Sequence, residues 1–334
     1  MAATPPSLTR RKTITAVVLI PVIAAVVLCL FAWPTARTAP RDLPLGVAGA
    51  PAATAQLQQE LAGQGSAFEV HRYADEAAAR TAIEDRDVYG ALVVTPQGPR
   101  LLTASAASPV VAQLLQKAAA EMSPSGAAIP VTDVVAPPAA DPRGTALTSS
   151  VLPLAMAGMA AGVIVTLFGL RGIRAVAALV VASALVGGAA AAVTDSWLGV
   201  FAGSWWREAG ALGLAVLAIG GIVAGLAALL GSRGIGLGAV LTMLVGNAFS
   251  GAGSAPQLLP EPAGVIGQLL PPGAAATLLR SVAYFDGRAA LVPALTLGAW
   301  AVLGIVGIMI GGRRGRTAET AEVPAPAPVL QPVA

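Results

Sequence analysis

The side chains in this sequence that could do chemistry are few. There is one histidine, His71, and one cysteine, Cys29. Nucleophilic catalysis needs a base beside the nucleophile, and a metal site needs several imidazoles, thiolates or carboxylates at ligand spacing. His71 has Arg72 beside it and no thiol to share a metal, so it reads as a solvated or structural residue. The only lysines are Lys12 and Lys117, and no G-x-x-x-x-G-K-[ST] phosphate loop occurs. Gly234-Ile235-Gly236-Leu237-Gly238 is glycine-rich but opens an apolar run, where close helix packing is the expected use. The chain is expected not to be an enzyme and to carry no cofactor or metal.

Two segments are more specific. One is Asp141, Pro142, Arg143 and Gly144, just before an apolar run. The other is 250–288, which contains Leu270, Pro271, Pro272, Gly273 and Ala274, then Arg280 through Tyr284, Phe285, Asp286 and Gly287. Within it, Gly264–Leu270 and Ala274–Tyr284 are apolar, helix-compatible pieces bounded by proline and glycine, each too short to cross a bilayer. They read as interfacial or re-entrant helices, which need protein or water around their irregular backbone. Either they rest on the outer leaflet or they form a gate. The twelve residues Asp141, Pro142, Arg143, Gly144, Pro271, Pro272, Gly273, Arg280, Tyr284, Phe285, Asp286 and Gly287 are the candidate outer motif.

The elements that must position these residues follow from composition. Of 334 residues, 56% are hydrophobic and 11% charged, with a mean hydropathy of +0.76. Soluble domains are about 45–50% apolar and about 25% charged, so an ordinary soluble enzyme is excluded. About 20 apolar residues cross a hydrocarbon core. Six runs qualify as candidates: Ile14–Trp33, Val151–Leu170, Ala175–Val193, Ala209–Leu230, Ile235–Phe249 (the shortest, with Asn247 inside it) and Ala289–Ile310. None contains Asp, Glu, Lys, Arg or His, which disfavours a proton-driven pump acting alone. The 20-residue first run exceeds the usual 7–15 of a signal peptide's apolar region and reads as a retained anchor.

Six crossings put Arg10, Arg11, Lys12, Arg171, Arg174, Arg233, Arg313, Arg314 and Arg316 on one side, against Glu319 and Glu322. The block 34–147 carries eight basic and eleven acidic residues. By the positive-inside rule both termini are cytoplasmic and 34–147 lies outside. The pI near 9.5 is then a topology signal, not a nucleic-acid footprint. Trp33, Trp197, Phe201, Trp205 and Trp206 fall at the outer interface, as an aromatic belt would. Arg207 and Glu208 sit beside them, expected to pair with each other or to reach water. Three G-x-x-x-G pairs, Gly158/Gly162, Gly221/Gly225 and Gly307/Gly311, point to close helix packing, within one subunit or between two.

The 34–147 block reads as a small α/β domain. Strands are expected at Leu43–Val47, Phe68–Tyr73, Val88–Val94, Leu101–Ala104 and Val131–Val135. Helices are expected at Ala52–Leu61, from an Asp75 cap through Asp85, and at Pro109–Met122. The fold expected is therefore an α-helical polytopic membrane protein with six transmembrane helices and an extracytoplasmic α/β domain between the first two. Its parts are 1–33 (tail and first helix), 34–147 (outer domain), 148–312 (five-helix domain) and 313–334 (disordered cytoplasmic tail).

One apolar span, a large outer domain and five further spans resemble the type-2 ABC exporter permease superfamily. The resemblance is closest to its phage-infection-protein-like (YhgE/Pip-type) members. It is carried by Asp85-Arg86-Asp87-Val88-Tyr89-Gly90-Ala91-Leu92-Val93-Val94, by Asp141-Pro142-Arg143-Gly144 leading to Leu152-Pro153-Leu154, and by Leu270-Pro271-Pro272-Gly273-Ala274 through Arg280 to Gly287. The richness in Ala, Gly, Pro and Arg suggests an actinobacterium-like coding bias. The resemblance implies export of a lipid, drug, polysaccharide or peptide from a bacterial plasma membrane. It also implies a homodimer and a separate ATP-binding subunit docked on cytoplasmic coupling helices. Arg171 and Arg174 are the candidate coupling residues, but Arg171-Gly172-Ile173-Arg174 and Gly231–Gly234 are too short for such a helix. A non-transporting envelope protein, whose outer domain holds a partner, is the alternative.

Overall fold

The computed structural model describes residues 6–63, 65–122 and 129–321. The chain begins with α1 (Pro6–Ala36), which is exposed along most of its length and touches the rest near its end, where Trp33 meets the Phe249 ring edge-on at 6.3 Å. An α/β domain follows: β1 (Leu43–Ala48), α2 (Pro51–Ala62), β2 (Phe68–Tyr73), α3 (Glu76–Glu84), β3 (Gly90–Thr95), β4 (Gly98–Thr103), α4 (Pro109–Glu121) and β5 (Val131–Asp133). Its boundaries have local causes. The Asp75 carboxylate caps α3 by accepting from Ala78 N–H at 2.9 Å, and Ser108 caps α4 through Val111 N–H at 3.2 Å, with Pro109 in the first turn.

The sheet order is β2-β1-β3-β4-β5. β1 is parallel to β2 and β3, β3 and β4 form an antiparallel hairpin, and β5 is parallel to β4. Side chains alternate between the two faces, as strand geometry requires. On one face Leu45, Val47, Leu92 and Leu101 pack with Leu57 of α2 and Leu115 of α4. On the other, Ala48, Ala91, Val93 and Leu102 pack with Ile83 of α3. Each layer is completed from far along the chain: Leu258 joins the first and Phe285 the second.

The remaining helices are α5 (Thr145–Leu167), α6 (Gly172–Ala191, continued by a π-helical stretch to Trp197), α7 (Trp205–Leu230), α8 (Ser232–Ala239, continued by a π-helical stretch to Gly246), α9 (Ala263–Leu269), α10 (Pro271–Tyr284) and α11 (Leu291–Ala321). Among the described residues five helices, α1, α5, α6, α7 and α11, are long and apolar enough to cross a membrane. The expected span Ile235–Phe249 is not one of them: it falls on a 15-residue helical stretch, Ser232–Gly246, whose second half is π-helical. Helix α11 continues to Ala321, further than expected; the rest of the expected tail lies outside the described residues.

Helix α7 is the centre of the bundle, with 72% of its span buried. Glycines fix its neighbours and their directions. Gly158 and Gly162 of α5 meet Ile219 and Gly220, and Gly304 and Gly311 of α11 meet Gly221 and Ala228, so α5, α7 and α11 run the same way. Gly187 of α6 meets Ala209 and Gly213, and Gly234 and Gly238 of α8 meet Leu226 and Val223, so α6 and α8 run against α7. All three G-x-x-x-G pairs face neighbouring helices of the same chain, and a Cβ on Gly158, Gly162, Gly225 or Gly311 would clash there, so backbones approach closely. Arg171 in the link before α6, Arg233 in the first turn of α8 and the Gly312–Arg313 stretch of α11 lie toward one end of the bundle, and the α/β domain sits at the other.

Candidate functional site

The three stretches that carry the sequence resemblance converge where the α/β domain meets the bundle. The seat is Arg86, in the turn before β3. Its backbone has φ +66°, a left-handed conformation uncommon for a non-glycine residue. Such strain persists where the surroundings over-determine it, and here they do. Arg86 Nη1 donates to Thr277 O at 3.1 Å and to Ser281 Oγ, and the guanidinium lies 5.2 Å from the centroid of the Phe285 ring. Beside it Tyr89 O–H donates to Gln257 Oε1 at 2.9 Å, and Arg288 pairs with Asp85. The 256–258 turn is held from the other side by Ala39 N–H to Leu258 O at 3.1 Å and Arg41 N–H to Gln257 O at 3.0 Å.

Helices α9 and α10 form the other wall. They lie where Gly264–Leu270 and Ala274–Tyr284 were expected, but α10 is buried from Pro271 through Ala276 and again over Leu278–Ala283, packed by α5, α7 and α11. Helix α10 is thus packed as part of the bundle, whereas α9 leaves Val265 and Leu269 exposed on one side. Pro271 and Pro272 occupy the first turn of α10, where their missing N–H groups cost nothing. Gly273 lies against α9, where a Cβ would stand 2.1 Å from Gly267 O. Arg280 is 5% exposed and donates Nη2 to Ala252 O at 2.9 Å.

Asp141 and Gly144 serve the start of α5. The Asp141 carboxylate accepts from Thr145 N–H and Oγ1–H, each at 3.0 Å, and from Ala146 N–H at 2.6 Å, while Gly144 takes φ +63°. This satisfies two orphan amides of the first helical turn. Replacing Asp141 by Ala is expected to cost about 1–2 kcal/mol, as for other lost caps. Thermal unfolding of the purified protein measures it, and an unchanged midpoint would reject the capping role. Pro142, Arg143 and Gly144 line an open groove of about 630 Å³ between α4 and α5.

Arg207 and Glu208 do not pair with each other. Arg207 bonds Asp286 through its carbonyl and carboxylate, the latter at 3.4 Å, and Asp286 takes φ +53° before Gly287 at φ +84°. Glu208 turns inward and is fully buried: Oε1 accepts from Gly203 N–H at 3.0 Å and Oε2 has no partner. The expectation of no carboxylate within the spans is thereby corrected, because α7 starts at Trp205, four residues before the apolar run, and takes Glu208 into its first turn. Tyr284 O–H donates to Val200 O at 3.3 Å, and its ring meets Phe201 edge-on at 6.0 Å. His71, on β2, lies 3.5 Å from Glu69.

At the opposite end of the bundle Arg171 and Arg174 are exposed at the start of α6, and Arg171 lines a groove of about 340 Å³ between the ends of α5, α7 and α11. The outer motif and this pair are therefore at opposite ends of the bundle. The sequence places Arg86, Tyr89 and Ser281 inside family-like stretches without giving them a partner, and singles out neither Gln257 nor Thr277. No periodicity marks a contact across some 190 residues.

This is the architecture of a multi-pass membrane protein with an α/β domain seated on one end of its helical bundle. Residues 11–135, covering α1 and the α/β domain through β5, match the family model described as ABC-2 family transporter protein. The match supports a place among ABC-2 type permeases. No curated protein and no solved structure matches the chain.

Proposed function

We propose that the protein is the membrane component of an exporter in a bacterial plasma membrane, energised by a separate ATP-binding subunit and moving an amphipathic or lipid-like substrate. The observation that carries this reading is the ABC-2 transporter match over α1 and the α/β domain, joined to a bundle whose outer end is closed by α9 and α10. The α/β domain and α10 would act together as the outer gate. The arginine-bearing end would face the cytoplasm with both termini, and two copies would form the working unit. ATP-driven force would enter at the Arg171 groove.

A second reading, a non-transporting envelope protein, is favoured by that same end. Only Phe168–Arg171 joins α5 to α6, and only Gly231 joins α7 to α8. Neither link holds a coupling helix. Purifying the tagged protein from its native membranes in mild detergent distinguishes the two. A near-stoichiometric ATP-binding subunit with ATPase activity is the expected result. A reproducible envelope partner without any ATPase would replace export with the second reading.

A further inference from the structure

The junction between the α/β domain and α10 holds a partly open cavity of about 240 Å³, lined by Arg86, Tyr89, Gln257, Gln268, Thr277 and Arg280 among others. At liquid density that is room for on the order of eight waters, more than a small oxyanion needs. Its charge is unbalanced. Neither Arg86 nor Arg280 forms an ion pair with any carboxylate among the described residues. Of the two acids adjacent to Arg86 in sequence, Asp85 is taken by Arg288, and Asp87, on the cavity rim, is exposed. Burial and the charge of Arg280 pull Arg86 down to about 10, which leaves it cationic at neutral pH, and burial lowers Arg280 as well. Tyr89 is pushed up by burial and stays a neutral phenol.

The hydrogen-bonding capacity is unbalanced in the same sense. Gln257 Oε1 is taken by Tyr89, and Gln268 Oε1 by Thr277 Oγ1–H at 2.6 Å. Gln268 Nε2 is taken by Ser250 O at 3.0 Å. Donors are left over. Among the described residues Arg280 donates through Nη2 and Arg86 through Nη1, and no acceptor is found for Gln257 Nε2. Arg280 is buried and Arg86 half-buried, and a buried cation without a counter-charge is costly. A cavity that both guanidinium groups face, with no carboxylate to balance them, is suited to an anion. Two guanidinium forks and an amide offer more N–H groups than one carboxylate can accept, and suit several oxygens on one atom.

We propose that this cavity binds a phosphate-type oxyanion, the phosphodiester of a lipid headgroup or free phosphate, between Arg86, Arg280 and Gln257. The site stands whether or not the chain transports anything.

The full chain is purified in phosphate-free detergent buffer. Its unfolding midpoint is followed while inorganic phosphate is added, and lipid retention is read by native mass spectrometry after passage through nanodiscs of phosphatidylcholine with or without phosphatidylglycerol. A saturable rise in midpoint with phosphate identifies the free anion; selective retention of phosphatidylglycerol identifies the headgroup. In either arm Arg280→Gln weakens binding by about tenfold or more, as expected for a lost charged hydrogen bond, while Arg100→Gln, at an exposed position of β4, leaves it unchanged. Gln257→Glu keeps the acceptor for Tyr89 and installs the missing carboxylate. It should raise the midpoint without any anion and abolish binding, two opposite effects that a merely structural residue would not give. Binding of neither probe to folded wild-type protein overturns the proposal, as does Gln257→Glu protein that still binds or is destabilised, or equal loss in Arg100→Gln.

Discussion

Gly273→Ala is expected to lower the stability of the protein by about 3 kcal/mol, the upper part of the range for overpacking. The added methyl would stand 2.1 Å from Gly267 O and 2.7 Å from Gly267 C. Both are backbone atoms, so no side chain can rotate away and α9 must move off α10. That movement would also disturb Phe285, at the end of α10 and within a core layer of the α/β domain, so the damage should reach across the junction. Thermal unfolding of purified protein checks this. Gly298→Ala is the control, since a Cβ there meets nothing within 4 Å, and it should be neutral or stabilising by up to about 1 kcal/mol from helix propensity. Equal midpoints for Gly273→Ala and wild type would remove the close packing of α9 on α10 from the account of this site.

The second large effect is expected at Gly304. A Cβ there would lie 2.2 Å from Gly221 C and 2.5 Å from Gly221 O, and across the same seam a Cβ on Gly225 would meet Gly304 O at 2.7 Å. Within a membrane, helix association rests on this kind of contact because lipid is as apolar as the helix surface. Gly304→Val should part α7 from α11 and cost about 3 kcal/mol or more. Gly210→Ala, on α7 with nothing within 4 Å of its Cβ, should be tolerated. The readout is the yield of folded monomer in detergent together with its unfolding midpoint. A Gly304→Val protein as stable as the Gly210→Ala protein would mean that the seam does not hold the bundle.

The local parts of this fold were legible in the sequence. Five strands and three helices of the α/β domain fall within a few residues of their expected places, because period-two alternation, the Asp75 cap and Pro109 are signals a short window carries. All five long helices past or before that domain were likewise marked by apolar length, although α5 and α7 begin six and four residues ahead of their apolar runs. The short return helix α8 was the exception: hydropathy does not register that a helix slackens into a π-helical stretch after Ala239. What the sequence could not display was pairing at a distance. Gly221 and Gly225 were noticed, but their partner Gly304 is in no G-x-x-x-G pair. Arg86 was in a recognised stretch, but its meeting with Thr277 and Phe285 depends on how the bundle folds back. Glu208 looked like an interfacial residue because composition does not tell which side of a helix end faces inward.

The two core layers of the α/β domain draw on Leu258 and Phe285, more than a hundred residues beyond β5. Chains grow at roughly 5–20 residues per second, so on the order of 10–30 s separate the last strand from the residue that closes the second layer. During that interval the apolar faces of the sheet wait, incomplete, outside the bilayer, while α5 to α10 are still being inserted. The domain therefore reports on the bundle: it can finish folding only when the helices beneath it have arrived in register. A quality-control protease that recognises an unfinished sheet would, through this one dependence, monitor the assembly of the whole membrane part.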